Sequence, residues 1–255
     1  MAGNRSEGDS RSVAQKIFAI ADAFDSAPGS ELSLTEIARR AGLPLSTAHR
    51  LVAEWVSWGG LVKGDDELYR VGMRLWRLGV RAPAARRLRS VARPFLEDLF
   101  EVSKENVHLA VRDGLSALYL DRLSHRRAVP VISEIGTRLP LHATGVGLVL
   151  LAHAGEDLLE ELVAAAPRKY LPGTMTTLAE LAPRLAEVRR SGIAISRNEM
   201  TPDSFSAAAP VRDHTDEVVA AVSVIAHADR SSDPQYQLAV GVAARGISRA
   251  LGWRS

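Results

Sequence analysis

Five consecutive positions, Ser46-Thr47-Ala48-His49-Arg50, carry four polar side chains around one alanine. An α-helical period turns Ala48, Leu51, Val52 and Trp55 to one stripe, and Ser46, His49, Arg50 and Ala53 to the opposite face. Leu45 and Thr47 fall at the leading edge of that face. Such an outer surface has a definite chemistry. An arginine fork makes bidentate bonds to guanine O6 and N7, and short hydroxyl and imidazole groups donate to bases or phosphates. Downstream, Lys63 and Arg70 flank a short loop and would meet backbone phosphates, which position a protein without specifying sequence. Ser33 and Thr35, just ahead of this run, complete the candidate nucleic-acid contacts.

The elements needed to present those residues are written around them. Val13, Ile17, Ile20, Ala21 and Phe24 form a first helical stripe, and Ala27-Pro28-Gly29-Ser30 ends it. Ser33-Leu34-Thr35-Glu36 has the form of a capping box. Ile37, Ala38 and Ala41 follow, with Gly42 where a C′ glycine belongs. Pro44 suits the first turn of the next helix. Short helix, tight turn and second helix make a helix-turn-helix. Leu61–Lys63 and Leu68–Val71, joined by Gly64-Asp65-Asp66-Glu67, read as a hairpin that adds a wing.

Charge supports this division. The 255 residues hold 32 Lys+Arg and 30 Asp+Glu, a net +2. Residues 1–94 carry 15 basic against 10 acidic side chains, and residues 95–255 carry 17 against 20. Residues 70–93 contain eight arginines and no acid. A basic front and a mildly acidic back predict two modules, the first facing a polyanion. At 46% hydrophobic and 24% charged, the composition is that of a globular chain. No cysteine is present, which excludes disulfides, thiolate metal sites and cysteine nucleophiles. No apolar run is long enough to span a membrane. The polar stretch 1–11 reads as a disordered lead-in rather than a secretory signal, and the expected location is the cytoplasm.

Residues 72–89 read as a connecting helix, with a break near Ala82-Pro83 and an outer face of Arg74, Arg77 and Arg81. Exposed Trp76 at an apolar position favours a partner surface. Residues 90–255 read as a second module. Strands are predicted at Val107–Val111, Ala117–Arg122, Val129–Ile132, Ile193–Ser196, Ser206–Val211 and Val218–Ala226, and helices near Val91–Val102, Thr144–Ala154, Glu156–Ala165, Leu178–Arg190 and Tyr236–Leu251. That grouping suggests α+β with a mostly antiparallel sheet. The histidines lack metal-ligand spacing, and no nucleophile elbow or Walker lysine occurs, so no metal ligands are named, the question of a bound metal stays open, and neither cofactor nor enzymatic activity is expected. The loop 136–145 leads into a helix N-terminus, where free N–H groups suit a carboxylate or phosphate, or where Thr144 simply caps the helix. His142 reads as a structural histidine, and Glu199 either orients a ligand or, as the favoured reading, merely lies on its loop.

The strings Leu32–Pro44, Ser46–Leu51 and Tyr69-Arg70-Val71-Gly72 resemble the winged helix of IclR-family bacterial transcriptional regulators. Arg138–Gly147, Ala208-Ala209-Pro210-Val211 and Ala220–Val224 resemble motifs of that family's effector domain, in order, between about residues 12 and 252. The resemblance implies a winged helix over 12–71, a linker helix over 72–89 that helps dimerise the heads, and a GAF-like effector and oligomerisation domain over 90–255. Matched motif by motif, it places effector contacts at Ala128, Val131, Gly145, Val146, Ser196, Ser206 and Ser223. Small hydroxyls and apolar walls there suit a small organic acid or aromatic compound.

The chain departs from the family where members often carry a basic residue (Leu45), a lysine (Leu148) or a cysteine (Ser206). The expected partners are double-stranded DNA at a pseudo-palindromic operator, a small-molecule effector, and further copies in a homodimer or homotetramer. Whether such a regulator represses or activates follows from where its operator lies. Two other readings stand beside this one: an architectural DNA-binding dimer without a ligand, and an enzyme with a docking head, using Ser206 or Ser223 with His142.

Overall fold

The computed structural model describes residues 11–25, 31–79, 81–126, 128–230 and 234–254. The chain divides into two compact units, Met1–Pro83 and Ala84–Ser255.

The first unit contains α1 (Val13–Asp25), β1 (Glu31–Leu32), α2 (Leu34–Ala41), α3 (Leu45–Trp58), β2 (Leu61–Lys63), β3 (Tyr69–Val71) and α4 (Met73–Gly79). Local chemistry sets the ends of α2. Ser33 accepts from the Glu36 backbone at 3.3 Å, and the Glu36 carboxylate accepts from the Ser33 N–H at 3.0 Å. Gly42 closes the helix at φ 60°, a left-handed conformation that a side chain disfavours. Pro44 is the N-cap of α3 rather than its first residue. Ile20, Leu32, Ile37, Ala48, Leu51, Val52, Leu61 and Tyr69 fill the core. Leu61 and Tyr69 thereby tie the wing to the helices. β1, which the sequence pattern did not announce, pairs antiparallel with β3 and makes a three-stranded sheet in the order β1-β3-β2.

The expected lead-in lies outside the described residues except for Arg11, which is ordered. Its guanidinium donates to the carbonyls of Ala41 (2.8 Å) and Gly42 (2.5 Å) at the end of α2. The turn expected at Ala27–Ser30 lies outside the described residues. The helical connector consists of α4, then α5 (Pro83–Ser103), which Pro83 opens.

The second unit contains α5, β4 (Asn106–Asp113), β5 (Ser116–Leu123), β6 (Arg138–Pro140), α6 (Gly145–Ala152), α7 (Glu156–Ala164), α8 (Leu178–Ser191), β7 (Ala194–Arg197), β8 (Ser204–Arg212), β9 (Val218–His227) and α9 (Pro234–Ala250). The six strands form one antiparallel sheet in the order β6-β5-β4-β9-β8-β7. Alternation along the strands sends side chains to two cores. Leu109, Ala207, Val222 and Val224 face α5 and α9. Ala110, Tyr119, Ala208 and Ala221 face α6 and α8.

α6 is buried along its whole length, so it lacks the polar face of a surface helix. Close approach explains its glycines. A Cβ on Gly147 would lie 2.3 Å from the Leu141 carbonyl oxygen. The strand expected at Val129–Ile132 does not form. Residues 124–126 and 128–136 form no helix or strand.

Candidate functional site

In the first unit, α3 presents Leu45, Ser46, His49 and Arg50 to solvent, with Thr47 half-buried and Ala48, Leu51 and Val52 packed beneath. Leu45 is 53% exposed. Nothing inside the protein explains that exposure, so this position offers an apolar contact to whatever meets the helix. Arg50 forms no ion pair or hydrogen bond among the described residues, and its fork is available.

The wing differs. Arg70 is held by Glu31 (2.7 Å) and Asp66 (2.5 Å). Those hydrogen bonds, Asp66 first, raise its already high pKa further. Lys63 pairs with Glu67, which likewise holds its ammonium above the usual range. Both wing cations are therefore neutralised by wing-side carboxylates, whereas the exposed α3 face carries an uncompensated cation. Ser33 spends its hydroxyl on the capping box, and Thr35 stands exposed one position into α2.

In the second unit, a narrow, partly open cavity lies between the sheet and the N-terminus of α6. Its volume is about 30 Å³, about the share of one water molecule, so an organic ligand would have to widen it. Val131, Gly145, Val146, Ser196, Ser206 and Ser223 all line it, with Tyr119, Ser133, Thr144 and Met200. Ala128 is not part of the lining; its N–H bonds the His125 carbonyl at 3.0 Å at the start of the same irregular segment.

Thr144 caps α6, accepting from the Gly147 N–H at 3.1 Å. The two readings of this turn are thus compatible: one N–H is capped, and the helix still directs its positive end at the cavity. A wider groove of about 620 Å³ runs along α7 and α8. Among the described residues it carries no unpartnered buried side-chain polar atom, whereas the narrow cavity carries two, Ser206 Oγ and Ser223 Oγ. A buried hydroxyl without a partner costs about 1–3 kcal/mol, and a polar ligand would remove that cost.

Sequence reasoning missed His108. It lies on β4 directly opposite Ser223 of β9, fully buried, with its ring edge-on to Tyr119 at 5.2 Å. Its Nε2 is 2.9 Å from Ser133 Oγ. Burial, then the nearby Arg122 charge, push its pKa down to about 3, and its Nδ1 has no partner. A neutral ring with no orienting carboxylate is a weak base, so the Ser133–His108 contact reads as structural. The signal was available only as an alternation of apolar and polar residues along β4. His142 is also structural, its Nε2 lying 2.9 Å from the Arg168 carbonyl oxygen. It makes no nucleophile–base pair with Ser206 or Ser223. Among the described residues no cluster of His, Asp or Glu has the form of a metal site.

Asn106 and Arg122 hold the irregular wall. Asn106 Nδ2 donates to the Val129 carbonyl at 2.8 Å. Arg122 donates to the Ser133 carbonyl at 2.9 Å and pairs with Glu134. Beside it, buried Asp121 receives Arg93 of α5 at 3.2 Å and lies 3.6 Å from Arg89.

A winged helix with a free arginine on its second helix, joined to a unit enclosing a polar-lined cavity, defines a DNA-binding protein with a small-molecule site. Comparison with known proteins agrees. The bacterial transcriptional regulator IclR C-terminal family matches residues 82–249, and the IclR helix-turn-helix domain matches residues 13–64. The chain belongs to the IclR family of transcriptional regulators.

Its relatives include the HTH-type transcriptional regulator XynR of Escherichia coli, 30% identical over 94% of this chain and 96% of the relative. BhcR of Paracoccus denitrificans is 33% identical over 89% of this chain and 84% of its own. Among solved structures, an IclR homolog from Microbacterium hydrocarbonoxydans, complexed with 4-hydroxybenzoate, superposes with a TM-score of 0.86 at 35% identity. It covers 94% of this chain and 99% of its own.

Proposed function

We propose that this regulator binds a pseudo-palindromic operator as a dimer or tetramer, and that a small organic acid, widening the narrow cavity at α6, alters that binding. The carrying observation is the pair of unpartnered buried hydroxyls, Ser206 and Ser223, in a cavity that also receives the N-terminus of α6. The complex of the Microbacterium homolog with 4-hydroxybenzoate supports an aromatic carboxylate as the ligand class. Exposed Val13, Phe18, Met73, Trp76 and Leu78 in the first unit support self-association.

On DNA, Leu45, Ser46, Thr47, His49 and Arg50 would enter the major groove, the two helices of a dimer about 34 Å apart. A ligand shifts operator occupancy only if it binds the two states unequally. No helix of the described residues is long and apolar enough to cross a membrane, which fits action on cytoplasmic DNA.

Thermal unfolding against a panel of carboxylic acids, 4-hydroxybenzoate included, tests the reading. A ligand at about 100 times its Kd adds about 2.7 kcal/mol of stability. The same acid should then change the fluorescence anisotropy of the gene's own upstream DNA. A panel without any stabilising acid removes the effector, and equal affinity for random DNA removes the operator.

A further inference from the structure

Leu43 and Leu45 stand on either side of Pro44, the N-cap of α3, and the fold treats them differently. Leu43 is buried in the core of the first unit, whereas Leu45 is 53% exposed. The core therefore closes without Leu45. Its isobutyl group occupies the first position of α3, on the exposed face that also carries Ser46, His49 and Arg50. A lone exposed leucine is ordinary on most surfaces. Here its place matters, because the N-terminal turn of the second helix is the part that meets base edges.

What an isobutyl group can meet there is limited. Phosphate oxygens are hydrated, and pressing an apolar group against them strips water from an anion without offering it a partner. The base edges of the major groove present hydrogen-bond donors and acceptors and one apolar group, the C5 methyl of thymine.

The surrounding charges point the same way. Lys63 is paired with Glu67, and Arg70 with Glu31 and Asp66. A cation in place of Leu45 would add a phosphate contact and tighten binding to every sequence alike. Leucine forgoes that general gain, and only a sequence that brings a methyl group to it returns anything.

We infer that Leu45 reads a thymine through its C5 methyl group and is a specificity-determining residue of the DNA-binding head; this rests on the reading above that α3 enters the major groove of an operator. Arg50 and Leu45 then divide the work on α3. The guanidinium selects by hydrogen bonds to a guanine edge, and the isobutyl group selects by excluding water from a methyl.

Fluorescence anisotropy of the full chain on the gene's own upstream DNA, synthesised once with thymine and once with uracil in its place, tests this. Uracil pairs as thymine does and lacks only the methyl group. The wild type should bind the uracil duplex about three- to fourfold more weakly for each half-site, the effect of one methyl group losing its burial. Leu45→Ala should bind the thymine duplex more weakly than the wild type and should not distinguish the two duplexes. Leu45→Lys should also lose the distinction, while gaining affinity for random DNA and a salt slope steeper by about one contact. Both changes fall at an exposed position, so the core is left intact. A wild type indifferent to the methyl groups overturns the inference. So does a loss on uracil DNA that both variants retain in full, which would assign the methyl contact to another side chain or to duplex shape. Equal wild-type affinity for random DNA removes the operator reading together with the inference, whereas operator preference without methyl dependence removes the inference alone.

Discussion

Gly145 and Ser206 meet so closely that a methyl group on Gly145 would lie 2.6 Å from the Ser206 hydroxyl oxygen. The first residue of α6 is thus fitted to a serine on β8, and the helix end and the hydroxyl present one surface to the cavity. Gly145→Ala should cost about 1–3 kcal/mol, the usual range for overpacking, and should weaken binding of 4-hydroxybenzoate. Adding Ser206→Ala should recover most of the stability but not the binding. Chemical unfolding of both variants checks the coupling, and equal stability of the single and double variants would show that the contact relaxes elsewhere.

Arg50 and Arg70 should behave differently on DNA. Arg50 is free among the described residues, whereas Arg70 is already paired with Glu31 and Asp66. Arg50→Ala should cost about 1–3 kcal/mol with loss of preference at one base step. Arg70→Ala should leave operator preference intact and change the salt slope by less than one contact. Anisotropy titrations across salt concentration separate the two, and a large salt effect of Arg70→Ala would mean that DNA displaces its carboxylates.

The capping box of α2 predicts a local loss of stability. Ser33→Ala removes the acceptor for the Glu36 N–H and should cost about 1 kcal/mol. Thr35→Ala, at an exposed position, should cost far less. If the two alanine variants unfold together, Ser33 contributes through something other than its cap.

His108 predicts sensitivity to acid. Its folded pKa lies far below its ordinary 6.5, at about 3. Between these values the unfolded chain binds a proton that the folded chain refuses. Stability is therefore full above pH 6.5 and falls as pH drops toward 3, at up to about 1.4 kcal/mol per unit. Glu199 has the opposite sign. Its raised pKa makes its contribution complete below 4.5, and that contribution is lost as pH rises toward 7. Denaturant midpoints from pH 4 to pH 8 should flatten at the acid end in His108→Asn and at the neutral end in Glu199→Gln.

Legibility from sequence followed the range of the interactions involved. The capping box, Gly42, the wing hairpin and the late strands are local patterns, and each formed where its residues pointed. The pairing of Arg70 with Glu31 is not local; 39 positions separate them, and only the short strand β1 brings them together. Val129–Ile132 has strand-like residues but no strand; the Val129 carbonyl is taken by the Asn106 side chain, a partner far away in sequence. Glu199 and His108 look like ordinary loop and strand residues, since burial, which gives them their chemistry, belongs to the folded chain. Six of the seven residues that the resemblance singled out line one space, a grouping that periodicity could not make because they come from separate strands, a loop and a helix.

The wall at 128–134 has one more consequence, which concerns time rather than affinity. A segment outside any helix or strand opens at lower free energy than the sheet beside it. Asn106 of β4 and Arg122 of β5 fasten it to the sheet. Loosening either fastening should hasten both entry and escape of a ligand while leaving the serines that hold it in place. The residence time of the signal, and so the interval over which a gene stays switched, is then written in two side chains that line no part of the cavity.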